Sequence, residues 1–133
     1  MAGVRGIGGI FFKSDNPEAL YAWYRDHLGI VSKPAEGALF PWRRADGRSQ
    51  DDSSQDDFTV WSIFPRSTEY FKTSQASFML NYIVDDLDAT LSHLRAKGAQ
   101  VDDVIEEYDY GKFGWAMDPE GNRIELWEPK PQR

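Results

Sequence analysis

The stretch FMLNYIVDDLDATLSHLRAKG, residues 78–98, decides the fold because it reads as a strand running directly into a helix. Phe78 to Val84 is an apolar, strand-like run, and Asp85-Asp86 supplies a helix cap. Leu87, Leu91 and Leu94 then recur at helical spacing until Lys97-Gly98 stops the helix. The same plan stands earlier in the chain. GIGGIFFK, residues 6–13, fits a buried strand, and Asn16-Pro17-Glu18 offers a cap, a proline for the first helical position and an acid for the first turn. Ala19, Leu20, Trp23, Tyr24 and Leu28 carry the helical spacing and Gly29 ends it, which predicts a helix over about residues 17–28. Moving that helix along by 70 residues places Ala19 on Ala89, Tyr24 on Leu94 and Arg25 on Arg95. The chain reads as an internal duplication.

Three strand-like runs follow each helix. They are expected near 30–34, 38–44 and 58–64, and again near 100–106, 112–118 and 122–128, the last pair joined by the turn Asp118-Pro119-Glu120-Gly121. The fold class is therefore α+β: tandem βαβββ modules, the first over about 5–65 and the second over about 76–129, in a single domain spanning 1–133. Neither half is large enough to bury a sizeable core alone, so the two must associate. Between the third and fourth runs, residues 45–57, ADGRSQDDSSQDD, are polar and acidic and are expected to form a mobile, solvated loop.

Composition narrows the function. Acidic residues outnumber basic ones 22 to 15, giving a formal charge of -7, and no basic cluster exceeds Arg43-Arg44, so nucleic acid is a poor partner. Cysteine is absent, which removes thiol nucleophiles, disulfides and Cys-based zinc sites together. The N-terminal apolar run is too short for a secretory signal, and no segment approaches a membrane span. A cytoplasmic protein without a membrane partner is the expectation. Five Trp, six Tyr and eight Phe provide enough aromatic surface to line a pocket as well as fill a core.

The strand followed by SDNPEALYAWYRDHLGI, the unit FMLNYIVDDLDATLSHLRAKGAQV and the closing DPEGNRIELWEP together resemble the vicinal oxygen chelate superfamily, the glyoxalase, bleomycin-resistance and extradiol-dioxygenase group. The DPEGNRIEL stretch is the most specific piece, and the resemblance covers nearly the whole chain. It implies paired βαβββ modules curled into a half-open eight-stranded barrel, a ligand on the concave face and, often, a homodimer. In metal-using members a side chain on the first strand and one near the last strand of each module hold a divalent ion. Carried over, the last of these positions falls on Glu125 and matches. The others fall on Gly9 or Gly8, on Met79 or Leu80, and near Ser62. Glycine offers no side chain and a thioether is a poor ligand for hard cations, so no metal residues are assigned and no cofactor is expected. His27 and His93 sit on the helices instead.

Strand alternation places Gly9, Phe11 and Lys13 on one face, and likewise Met79 with Asn81, Glu125 with Trp127, and Val60 with Ser62 and Phe64. Tyr108, Tyr110, Phe113 and Trp115 surround two glycines and form either an aromatic rim or a tight turn. Trp42, Trp61 and Tyr70 divide between core filling and ligand stacking. Glu125 has three readings: a lone metal ligand, a general base with a burial-raised pKa, or a polar anchor for a ligand or for Lys13.

Three readings remain open, the blandest an accessory protein with a vestigial cleft whose surface meets another protein, and whether the protein is an enzyme is left undecided. The first is a homodimeric binding protein that holds a small organic molecule, aromatic or cationic, without the full metal site. Gly9, Phe11, Lys13, Trp42, Ser62, Phe64, Met79, Asn81, Tyr108, Tyr110, Trp115 and Trp127 line its cleft. The second is a metal-dependent lyase, isomerase or dioxygenase of the glyoxalase type that uses Glu125 as ligand or base, completed by carboxylates such as Glu107 or Asp109.

Overall fold

The structure, a computed structural model, describes residues 4–33, 36–42, 57–72 and 74–130. Its first half holds β1 (Val4–Ser14), α1 (Pro17–Leu28), β2 (Ala38–Pro41) and β3 (Phe58–Pro65). The second holds β4 (Phe78–Val84), α2 (Leu87–Ala96), β5 (Gln100–Val101), β6 (Glu106–Tyr108), β7 (Gly111–Met117) and β8 (Arg123–Pro129). The strands form one mixed eight-stranded sheet in the order β2-β3-β1-β4-β8-β7-β5, with β6 pairing β7, and it does not close into a barrel. β1 lies parallel to β3 and β4 parallel to β8, while β1 and β4 run antiparallel and join the two halves.

Both helices start where their caps predict. Asn16 accepts from the Ala19 amide at 3.1 Å and Asp86 from the Ala89 amide at 3.0 Å, each satisfying one of the orphan donors of a helix N-terminus. Gly29 ends α1 at φ 71°, a left-handed conformation that glycine adopts without Cβ strain.

The route to eight strands differs from the expected one. Ile30 to Lys33 form no strand; Lys33 makes only an isolated bridge to Gly37. The run expected at 100–106 breaks into β5 and β6; at the break the Asp102 amide still donates to the Trp115 carbonyl at 2.9 Å while its carboxylate pairs with Arg123. Among the described residues module one thus contributes three strands and module two five. The run expected at 38–44 is a strand over Ala38–Pro41, and residues 43–56, which include nearly all of the acidic segment, lie outside the described residues.

The two sheet faces differ in what covers them. On one, Val84 and Leu126 pack against Leu87 and Leu91 of α2, and Phe12 and Trp61 pack against Tyr24 of α1. Alternation turns the neighbouring residues of each strand to the other, helix-free face. There Phe11, Met79 and Trp115 form a second core with Phe71, a residue of the connection between β3 and β4. None of the helices in the described residues is long and apolar enough to cross a membrane.

Candidate functional site

The register of the sheet sets one row of side chains across the helix-free face. Val60 stands beside Gly9, Gly9 beside Asn81, Asn81 beside Glu125, and Glu125 beside Trp115. Glu125 is thus placed at the centre of the sheet, and only 1% of it is exposed. Three donors meet its carboxylate. Asn81 Nδ2 donates to Oε1 at 2.6 Å, Trp115 Nε1 donates to Oε2 at 2.9 Å, and the Tyr70 hydroxyl also donates to Oε2.

Burial pushes the Glu125 pKa above the ordinary carboxylate range, while the hydrogen bonds from Tyr70, Asn81 and Trp115 and the charge of Arg123 oppose the shift. The Tyr70 phenol is pushed up as well, first by burial and then by the adjacent carboxylate. Arg123, missed by the sequence reading, is almost fully buried. Its Nη2 pairs with Asp102 at 2.9 Å, its Nη1 donates to the Tyr70 carbonyl, and its guanidinium lies 4.9 Å from the Trp115 ring centre. The signal was present, since Arg123 precedes Glu125 by two positions on the same strand and must share its face.

Tyr70 reaches the site from the connection between β3 and β4. Its ring stacks on Phe64 at 5.6 Å and meets Phe11 and Trp115 edge-on at 6.5 and 6.3 Å. Phe71, next to it, is fully buried. A Tyr-Phe pair in the otherwise polar run RSTEYFKTSQAS was the available sign that this segment must bury something.

A second group of rings continues from Trp127. Phe113 stacks on it at 5.7 Å, Phe58 meets it edge-on at 5.4 Å, and Tyr108 and Tyr110 stack on each other at 5.3 Å with both edges toward Phe113. Tyr108 and Tyr110 flank the tight turn between β6 and β7 and are 44% and 51% exposed.

The structure brings Gly9, Asn81, Trp115, Phe11, Phe64 and Met79 together around Tyr70 and Glu125, and Tyr108, Tyr110 and Trp127 into the adjoining ring group. Three expected lining residues stand apart. Lys13 places its ammonium 5.0 Å from the Phe71 ring centre, so the charge partner considered for Glu125 is engaged elsewhere. Ser62 donates to the Glu36 carbonyl at 3.4 Å, two positions along from the Glu125 row. Trp42 lies over Gly6 and donates to Thr59 at 2.8 Å. Trp61 fills the space between Phe12, Tyr21 and Tyr24 on the helix side. The choice between Gly8 and Gly9 resolves into both: a bulge between Ile7 and Gly9 turns each toward Asn81.

These donors do not fit the divalent ion that the family resemblance implies. The row beside Glu125 offers a valine, a glycine and an amide, and both carboxylate oxygens already accept from protein donors. Leu80 faces the helices, Met79 packs with Phe11 and Phe71, and both histidines are exposed. Glu107 is held by Lys130 at 2.5 Å. Among the described residues no three His, Cys, Asp or Glu side chains converge.

Comparison with known proteins agrees with this architecture. No curated protein matches the chain. Among solved structures, methylmalonyl-CoA epimerase from Mycobacterium tuberculosis superposes with a TM-score of 0.61 at 19% identity, covering 96% of this chain and 90% of that one. A variant of the Streptomyces coelicolor methylmalonyl-CoA epimerase in complex with 2-nitronate-propionyl-CoA gives a TM-score of 0.65 at 15% identity, covering 97% of this chain and 100% of that one. A glyoxalase/bleomycin resistance protein/dioxygenase superfamily member from Vibrio splendidus 12B01 gives 0.55 at 12% identity, covering 95% and 99%. At such identities these neighbours speak for the fold alone. A family model described as a glyoxalase-like domain matches residues 9–127, nearly the whole duplicated unit, and the chain therefore belongs to the glyoxalase-like family.

Proposed function

We propose that this protein binds a small, flat organic molecule on the helix-free face of its sheet, without a metal site. The observation that carries the reading is the group of rings formed by Trp127, Phe113, Phe58, Tyr108 and Tyr110, which adjoins the row holding Glu125. Rings of this size supply large apolar contact at little entropic cost, and two of them stay half exposed in the unliganded fold. Glu125 then acts as a fixed polar element of the wall. Its three donors hold it in place, and it in turn fixes the side chains of Asn81, Trp115 and Tyr70.

The charge of -7 favours neutral or cationic ligands over the polyphosphate of a CoA ester. A homodimer in the cytoplasm belongs to the same proposal, supported by the exposed apolar side chains Val4, Ile7, Ile10 and Phe78 of the two strands that join the halves. Sedimentation of the purified chain reads the dimer directly.

The test is a thermal-shift and tryptophan-fluorescence screen against flat aromatic amines and heterocycles, with propionyl-CoA as comparator, in the presence and absence of a chelator. Saturable stabilisation by an aromatic compound that is indifferent to the chelator is the expected result. A chelator-sensitive response, or none from any aromatic compound, overturns the proposal.

A further inference from the structure

Two buried polar atoms on this face, Asn81 Oδ1 and Trp127 Nε1, have no hydrogen-bond partner among the described residues. Their side chains are 2% and 6% exposed, so neither is compensated by bulk water. Buried polar groups are nearly always paired within the fold, and one left over points to a partner that the fold does not contain. Here there are two, one acceptor and one donor.

Both orphan atoms are held in fixed orientations. Asn81 gives its amide nitrogen to Glu125, and that bond turns Oδ1 toward Gly8. The Trp127 indole is fixed by the parallel Phe113 ring and turns Nε1 toward Gly111. In each case the facing residue is a glycine whose missing Cβ would overlap the orphan atom. Any other residue at either position would press carbon on an unpaired polar atom, so the sequence keeps side chains clear of both.

We infer that Asn81 Oδ1 and Trp127 Nε1 read the two polar ends of the ligand, accepting from a donor at one end and donating to an acceptor at the other. The inference rests on the proposed binding role of this face. Asn81 stands beside Glu125 and Ile83 beside Trp127, so the two readers are diagonal neighbours on adjacent strands. Oδ1 faces the β1 flank at Gly8 and Nε1 the β7 flank at Gly111, so a ligand that meets both lies across β4 and β8. The ligand class is thus a flat heteroaromatic ring system with a ring nitrogen or carbonyl at one end and an amino group at the other.

A matched series on one ring skeleton tests this by calorimetry at about pH 8: naphthalene with neither group, quinoline with the acceptor, 2-naphthylamine with the donor, and 6-aminoquinoline with both. Each polar group is expected to tighten binding roughly five- to tenfold, with 6-aminoquinoline strongest. Trp127→Phe is expected to abolish the advantage of quinoline over naphthalene while preserving that of the amine. In the unaltered protein, the Trp127 indole N–H resonance is expected to move downfield with quinoline and not with naphthalene, a readout independent of whether the variant folds. Equal affinity for all four compounds overturns the inference and leaves the binding role standing. Binding of none overturns both.

Discussion

Tyr70 and Glu125, 55 positions apart in the chain, meet hydroxyl to carboxylate on the helix-free face of the sheet. This one contact ties the connection between the halves to the central strand of the second half. It also means that a carboxylate in the position of a metal ligand spends its lone pairs on a phenol, an indole and an amide.

Removing the carboxylate strands all three donors in a dry site. Glu125→Ala is expected to lower the unfolding free energy by about 3 kcal/mol, measured by urea denaturation with circular dichroism. Glu125→Gln keeps the shape and one acceptor, so a loss nearer 1 kcal/mol is expected. Glu107→Ala, which removes the exposed carboxylate of a surface ion pair, should leave the midpoint unchanged. If the alanine variant at 125 proved as stable as the protein itself, the three-donor account would be wrong.

The raised pKa of Glu125 fixes the sign of a pH effect. In the unfolded chain a glutamate titrates near about 4.3, whereas burial keeps the proton on longer in the fold. Between those two values the folded state binds more protons than the unfolded one, so this group lowers stability as pH rises through the window. Above the folded pKa its contribution becomes constant. The stability difference between Glu125→Gln and the unaltered protein should therefore shift in favour of the variant from about pH 4 upward and then level off. A difference that stayed flat with pH would show that Glu125 titrates normally.

How much of this was legible depended on whether a signal was local. The first strand and helix of each half were readable because Asn16, Asp86, Gly29 and the leucine spacing act within a few residues. The faces of Glu125, Trp127, Met79 and Asn81 followed from alternation, which a one-residue difference in strand ends did not disturb. Ile30 and Val31 looked like a strand but follow the left-handed Gly29 without pairing, Ile30 half-buried and Val31 exposed. The break at Asp102 needed knowledge of Arg123, 21 positions away. Tyr70 and Phe71 carried no period at all, and their place depends on packing over the finished sheet.

Two glycines offer a contrast in close approach. A Cβ at Gly8 would overlap Asn81 Oδ1 and come within 2.7 Å of Ile83 Cγ1, both on the neighbouring strand β4. Gly8→Ala is expected to cost about 2 kcal/mol and to disturb the Asn81 amide resonance. At Gly114 the nearest atom is the mobile end of Leu91 at 3.0 Å, so Gly114→Ala should fall within about 1 kcal/mol of neutral. Equal losses in thermal melts would contradict this placing of the strands.

Tyr70→Phe separates the phenol's hydrogen bond from its ring. The stack on Phe64 and the edge contacts with Phe11 and Trp115 survive, and the carbonyl of residue 70 still accepts from Arg123. Glu125 loses one of the donors that hold its pKa down against burial, so its titration should move to higher pH in the variant. Carboxyl carbon NMR of Glu125 across the pH range measures this directly. A loss of about 1 kcal/mol in stability should accompany the shift, with faster hydrogen exchange along the segment that carries residues 69–72. If Glu125 titrated at the same pH or lower, its proton affinity would be set by burial, Asn81, Trp115 and Arg123 without the phenol, which would be a passive neighbour.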